Sequence, residues 1–415
     1  MQEKSLQFQI ARQCVFFVAF LFLAGGLTAC ASAPFHLAPP ADVYEDAIPT
    51  GYGRIRGWAD AAPDNLEALL EGRAALLKRR FADTIAAGQP IRLSYLALSG
   101  GGQEGAFGAG LLNGWTQSGT RPEFEVVTGI STGALIAPFA FLGPDWDDAL
   151  KEAYTTMTTD SILIPSILKG LFGGLALADA APFRRTIENF ATEEMFRLIA
   201  AEHRKGRRLY FGTSALDAAR PVVWDIGAIA NSDVPGALKL FHDIILASAS
   251  IPGAFPPVLI KVEVDGKQYS ELHVDGGVTA QVFAYPAQID IRDIDKLMPT
   301  GFERIIYVIR NTTDRPPYEN IKPRILPLAR RSISVLIAYQ GIGDLYRIAL
   351  NAKRDGIEFK LASIPVSWDM EPEESFDQKY MTALFALGER IGREGIPWRS
   401  RPLAADSEAE IAATN

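Results

Sequence analysis

The sequence predicts an α/β fold: three layers, with helices on both faces of a mainly parallel central sheet. Short apolar runs such as Ile91–Leu98, Val126–Thr128 and Arg304–Arg310 have the length and composition of strands. Between them lie longer stretches with helical spacing, so strands and helices alternate, as parallel sheets require. Hydrophobic residues make up 48% of the 415-residue chain, enough for a full core.

Taken in order, Asn65–Ala87 repeats Leu66, Leu69, Leu70, Leu76, Leu77 and Phe81 at helical intervals with Arg and Lys between them. The strand Ile91–Leu98 feeds a glycine-rich loop, and Phe107–Trp115 begins a helix after it. Val126–Thr128 is a strand ending at Gly129, and a helix follows Ser131. Asp147–Tyr154 and Phe183–Arg204 read as helices, Arg207–Ala215 and Pro221–Ile226 as strands, and Phe241–Ser248 as a helix that stops before Ile251-Pro252. Val258–Val264 and Gln268–Val274 flank Asp265-Gly266, a hairpin signal. Ser332–Ala352 and Phe376–Arg393 are the last helices. The expected organisation is a leader at 1–29, a tether at 30–63 that is proline- and alanine-rich and mobile from Ala31 to about Pro49 and packs on the body at Tyr52–Trp58, one α/β domain at 64–396 with its core at 91–290, and a flexible tail at 397–415. Ser161–Leu177 is apolar nearly all round and broken by Pro165, Gly170, Gly173 and Gly174. It reads either as a mobile lid over an acyl site or as a buried helical hairpin, and apolar runs are more often core.

Two glycine-framed motifs point to chemistry. Gly129-Ile130-Ser131-Thr132-Gly133 sits between a strand and a helix. A sharp turn there pushes the Ser131 hydroxyl out of the backbone, and Gly129 and Gly133 suit a place where strand and helix pass closely. Upstream, Ser99-Gly100-Gly101-Gly102-Gln103-Glu104-Gly105 follows the first strand. Such a loop lets main-chain N–H groups crowd around an anion. A nucleophile beside an anion-binding loop is what acyl transfer needs. Its rival, a nucleotide phosphate loop, lacks the Lys-Ser/Thr pair that should follow. Asp275-Gly276-Gly277 closes a strand, with a turn that frees the carboxylate.

In that order, these three motifs resemble the patatin-like phospholipase family over roughly Ile91 to Arg393. Thr213–Asp217 and Ala247–Pro257 add support. The resemblance implies hydrolysis of lipid acyl esters by a serine–aspartate dyad. Ser131 would be the nucleophile, Asp275 its base, and Gly100, Gly101, Gly102 and Gly105 would shape the oxyanion hole. Many members carry a basic residue just before the last glycine of the loop. Here Gln103-Glu104 stands there, so positive charge near the oxyanion is missing or comes from elsewhere. A dyad is chemically adequate. A carboxylate has no tautomers to fix, and burial would raise its low basicity.

The alternatives are a Ser-acid-His triad and a binding protein on the same fold without turnover. A triad would use Ser131, Asp217 or Asp225, and His242 or His273. His36 falls in the tether and His203 among charged neighbours that suggest solvation. Asp217 precedes a turn, and a turn role is the commoner one. No cluster has metal spacing, so no metal and no cofactor is expected.

The N-terminus reads as a bacterial export signal. Lys4 and Arg12 precede the apolar run Cys14–Leu23, which is too short to span a bilayer alone. Leu27-Thr28-Ala29-Cys30 looks like a lipobox, in which Cys30 receives a diacylglyceryl group. Ala31 after it points to the periplasmic face of the outer membrane in a diderm organism. Only Cys14 and Cys30 are present. A disulfide-stapled phospholipase, a cysteine nucleophile and a thiolate metal site are therefore excluded from the folded body. Net charge of −8 argues against nucleic acid as a partner. The expected partners are a lipid substrate and a membrane reached through the anchor, and the sequence names no protein partner.

Overall fold

The computed structural model describes residues 36–162, 164–165, 178–316 and 318–402. The leader with Cys30 and most of Ser161–Leu177 lie outside the described residues.

The strands of the main sheet are β1 (Ile48–Pro49), β2 (Arg56–Trp58), β3 (Ile91–Leu98), β4 (Val126–Ile130), β5 (Arg208–Ala215), β6 (Arg220–Asp225), β7 (Val258–Val264), β8 (Lys267–Asp275), β9 (Phe302–Thr313) and β10 (Glu358–Ile364). The principal helices are α1 (Leu66–Arg80), α2 (Gly105–Gln117), α3 (Thr132–Leu142), α4 (Asp147–Thr156), α5 (Ala181–Phe190), α6 (Glu193–Arg204), α7 (Ala237–Ser248), α8 (Ile325–Arg354) and α9 (Gln378–Glu394). Sheet order is β1-β7-β8-β5-β4-β3-β9-β10, with β6 pairing β5 and β2. The centre, β10-β9-β3-β4-β5, is parallel throughout. Beyond β5 the sheet turns antiparallel through β8, β7, β6 and the short β1 and β2.

Both faces are covered, and the alternation along single strands shows it. In β9, Tyr307 and Ile309 join the larger core with Phe107 and Leu111 of α2. Ile306 and Val308 instead face Leu345 and Ile348 of α8. This is the expected three-layer α/β/α arrangement with a mostly parallel central sheet.

Several expectations are corrected. The segment taken as a mobile tether is docked from residue 36 onward. Ile48 and Pro49 pair with β7 and Leu37 exchanges hydrogen bonds with Ser270, whereas Arg56 to Trp58 pair with β6, within the stretch expected to pack on the body. The run 183–204 is two helices, because Thr192 caps the second by accepting from the Met195 amide at 3.2 Å. The helix at 65–87 breaks at Phe81. β10 was not anticipated. The tail begins packed: Arg399 exchanges backbone hydrogen bonds with Leu361, and Trp398 packs at a tilt against Trp115 with ring centroids 5.0 Å apart. The Asp265-Gly266 hairpin is as expected, with both residues at positive φ, 50° and 72°.

One helix pair lacks room for side chains. A Cβ on Gly110 of α2 would sit 2.0 Å from the Phe385 carbonyl of α9, and one on Gly388 would sit 2.3 Å from the Phe107 carbonyl. Gly110→Ala should therefore cost about 1–3 kcal/mol. Gly72→Ala, on a helix with nothing within 4 Å of the new methyl, should gain roughly 0.5–1 kcal/mol. Chemical denaturation of the two variants checks the pair, and equal midpoints would contradict the packing.

Candidate active site

Ser131 occupies the junction of β4 and α3 with φ 54° and ψ −123°, a conformation that few non-glycine residues adopt. The flanking glycines make that turn sterically feasible. A Cβ on Gly129 would lie 2.3 Å from the Gly133 carbonyl, and one on Gly133 would lie 2.3 Å from the Leu98 carbonyl at the end of β3. The Ser131 amide donates to Ser248 Oγ at 3.0 Å, and Ser248 Oγ donates to the Gly212 carbonyl at 2.7 Å. Ser131 is 6% exposed.

Asp275 ends β8, which lies beside β5, and its amide donates to the Ser250 carbonyl at 2.9 Å. The short stretch Ser248–Ser250 thus holds the backbone of both Ser131 and Asp275. The Asp275 carboxylate accepts from the Gly277 amide at 2.7 Å and interacts with the Ser131 hydroxyl. Burial pushes its pKa up to about 7, against the lowering effect of those two donors. A carboxyl in that range is a usable base at neutral pH, and one in water is not. Gly276 lies against the Gly212 carbonyl, and Gly277 against the Gln281 amide.

The glycine loop lies on the other side of Ser131. Gly100 packs so closely that its Cβ would be 3.4 Å from the Ser131 Cβ, and Gly101 abuts the Asn311 carbonyl. The Gly100 amide is already used, donating to the Gln281 carbonyl at 3.0 Å, and the Gly105 amide closes the turn onto Gly102 and Gln103. Gly100 and Gly105 therefore shape the cradle without donating from it. Gly101 and Gly102 hold positive φ, 156° and 61°.

Two residues of this site were missed by sequence reasoning. Asn311 is fully buried. Its amide donates to Ser99 Oγ at 2.8 Å, its side-chain nitrogen donates to the Ser99 carbonyl at 2.9 Å, and its Oδ1 accepts from the Gly108 amide at 3.2 Å. It ties β9 to both ends of the loop. Gln281 donates to the Gly277 carbonyl at 2.8 Å and takes the Gly100 amide. Its own amide donates to Asp344 of α8 at 2.6 Å. The only sequence signal was a polar Asn-Thr-Thr directly after an apolar strand, and Gln281 had none.

Electrostatics near the loop differ from a basic-loop arrangement. Burial raises the Glu104 carboxyl to about 7. Arg310, next to Asn311, is 4% exposed. Its Nε donates to Thr312 Oγ1 at 2.8 Å, and its Nη1 has no partner among the described residues. Its Nη2 reaches within 3.9 Å of a Cβ on Gly341, which packs on Gln281.

The histidines are committed elsewhere. The His273 ring nitrogens meet Thr213 Oγ1 at 2.9 Å and Glu271 Oε2 at 3.0 Å, in a buried network with Arg56. Burial alone would raise the Glu271 carboxyl, but hydrogen bonds from Arg56 and His273 hold it down at about 2. His242 Nε2 lies 2.7 Å from the Ala191 carbonyl. His36 sits between Ser270 and Asp217 Oδ1, and Asp217 Oδ2 also takes the Leu272 amide, a structural role as expected. His203, expected to be solvated, is packed against Gly227, and burial lowers its pKa to about 4.

An apolar space opens one turn beyond the nucleophile, lined by Leu135, Pro138, Tyr154, Met157, Ile187 and Ile245. At about 20 Å³ it holds little more than a water.

Comparison with known proteins adds a family. Residues 96–287 match the patatin-like phospholipase model. The match spans a little under half of the chain and includes Ser131, Asp275 and the whole glycine loop. It supports lipid acyl hydrolysis as the general activity. A similar solved structure is the crystal structure of VipD from Legionella pneumophila, at 9% identity and a TM-score of 0.34, over 74% of this chain and 67% of that chain. No curated protein matches.

Because the folded pKa of Asp275 lies above the unfolded carboxylate value of about 3.9, the folded state holds an extra proton between the two. Its contribution to stability therefore falls as pH rises from about 4 to about 7. Asp275→Asn is expected to be more thermostable than the parent at about pH 8, with the gap closing near pH 4. Differential scanning calorimetry across that range measures it.

Proposed function

We propose that this protein is a serine acyl hydrolase that cleaves acyl esters of phospholipids or lysophospholipids through Ser131 and Asp275. The observation that carries the reading is the juxtaposition of a strained serine with a buried carboxylate raised to about 7, beside a glycine loop. Asp275 takes the Ser131 proton as Oγ attacks the ester carbonyl. The carbonyl oxygen becomes an oxyanion facing the loop amides, with Gly101 and Gly102 the donors left for it. The alcohol leaves with the proton returned by Asp275, and water then repeats the sequence to release the fatty acid. Each good donor to the oxyanion contributes about 3–4 kcal/mol. The apolar space beyond Leu135 is the acyl-side candidate, and α4 and α5 would part to admit a chain.

Cys30 would carry the lipid that keeps the enzyme at the bilayer, on the periplasmic face of the outer membrane in a diderm organism. Cys30→Ser should then make the protein's hold on the membrane fraction weaker and extractable by high salt.

Ser131→Ala and Asp275→Asn should each lower fatty-acid release from labelled phospholipid by about 10³-fold or more. Retention of parental turnover by either variant would remove the dyad. The parent rate should fall as pH drops below about 7, where Asp275 takes up its proton. His242→Gln should keep kcat within about tenfold, since a triad is the arrangement that needs a histidine. A dead His242→Gln that still folds would favour the triad.

A further inference from the structure

Helix α8 is anchored by only half of its length. From Gly341 onward it is packed, with Asp344, Leu345, Ile348 and Ala352 buried. Before that it runs largely uncovered for four turns. Ile325 is 85% exposed, Leu336 69%, Tyr339 63% and Ile333 58%, and Leu328 is also exposed. At about 100° per residue, Ile325, Leu328, Leu336 and Tyr339 fall within about 80° of one another. That is a continuous apolar stripe in water, which a monomer does not keep without use. Exposed Arg324 borders it, exposed Lys322 precedes it, and exposed Arg330 lies on the opposite face of the helix. Between Asn320 and Gly343 there are four basic residues and no acidic one, in a chain of net charge −8. The charge of this segment is opposite to that of the rest of the molecule.

The exposed half begins where α8 leaves the candidate site. Gln340 Nε2 donates to the Val278 carbonyl at 3.2 Å, just beyond Asp275-Gly276-Gly277. Gly341 packs on Gln281, and Gln281 on Gly100. Val278, three residues after Asp275, and Ile251, next to the Ser250 whose carbonyl accepts from the Asp275 amide, are both exposed apolar residues.

We infer that the amino-terminal half of α8, residues 325–340, is an interfacial helix that lies in the headgroup region of a bilayer containing anionic lipids and sets the mouth of the site against the membrane. An apolar stripe with basic residues at its start matches that surface in both respects: apolar side chains enter the acyl boundary, and Lys322 and Arg324 meet lipid phosphates, with Arg330 on the polar face. Among the described residues no helix is long and apolar enough to cross a membrane. This docking is independent of the Ser131 chemistry and of a lipid on Cys30.

The test uses the full chain with Ser131→Ala, Cys14→Ser and Cys30→Ser, so that neither hydrolysis nor a covalent lipid intervenes. Tyr339→Cys in that background carries an environment-sensitive dye. Glu303→Cys, exposed at the opposite end of the sheet, carries the same dye as the control. The expected result on phosphatidylcholine–phosphatidylglycerol vesicles is a blue shift at position 339 and quenching by brominated acyl chains, with neither at 303. Binding should be about tenfold or more tighter than to phosphatidylcholine alone, and weaker in high salt. Leu336→Glu should abolish the shift. Equal signals at both positions, or insensitivity to Leu336→Glu, overturn the inference. So does a shift at 339 that grows with protein concentration without vesicles and accompanies dimer in sedimentation, because the face then pairs two copies of the chain.

Discussion

The backbone of Ser131 governs this molecule. A serine at φ 54° and ψ −123° costs on the order of 1–3 kcal/mol and persists only where its surroundings over-determine it. Here three contacts do so. The Gly133 backbone is pressed against the end of β3, the Ser131 amide is tied to Ser248, and Ser248 is tied in turn to β5. Relaxing the serine would require parting β3 from α3 or α7 from the sheet, and both elements are buried in the main core. The strain is therefore borne by the packing of the whole parallel centre, and it keeps the hydroxyl beside Asp275 at the end of β8.

The partner carboxylate depends on the same packing for a different reason. In water an aspartate is too weak a base for a serine hydroxyl. At the end of β8 it is 5% exposed, and among the described groups acting on it only the Gly277 amide and the Ser131 hydroxyl favour its charged form. A third donor, or a nearby arginine, would pull it back toward the ordinary range and remove the property on which the proposed base role rests. The histidine two residues away is kept from interfering by Glu271 and Thr213, which occupy both of its ring nitrogens. The Arg56–Glu271–His273 network thus holds its charges among themselves further back along the same strand, and among the described groups no cation acts on Asp275.

What was legible in the sequence was what local geometry dictates. Turns that need glycine, a hairpin with two positive φ angles, and strands that alternate with helices all follow from a few adjacent residues. Ser131, Asp275 and the loop glycines were found that way. Asn311 and Gln281 were not, because their importance comes from partners about 200 positions away in sequence, Ser99 and Gly100. The docked segment from His36 to Pro49 failed for the same reason. Its composition is that of a tether, and its order comes from Ser270 and from pairing with β7. Thr192 was a helix cap inside a pattern that remained periodic on both sides, so the break was hidden by its own neighbours.

The unusual loop composition can be reconciled with oxyanion chemistry on electrostatic grounds. A carboxylate at Glu104 would oppose an anion forming beside Gly101 and Gly102. Yet burial raises Glu104 to about 7, so near neutrality much of it is uncharged. In the proposed reaction, backbone dipoles would stand in for the missing loop cation. α2 starts at Gly105 and α3 at Thr132, and the two starts touch, since a Cβ on Gly105 would lie 2.0 Å from Thr132 Oγ1. Each helix end carries roughly half a positive charge, concentrated in its first turn. Two such ends converging on one loop supply about the charge of one lysine. They supply it as fixed dipoles, which need no reorganisation when the oxyanion forms. A neutral loop in this position is thus compatible with acyl transfer, provided both helix starts stay in contact. The tight Gly105–Thr132 approach, with no space for a side chain, enforces that contact.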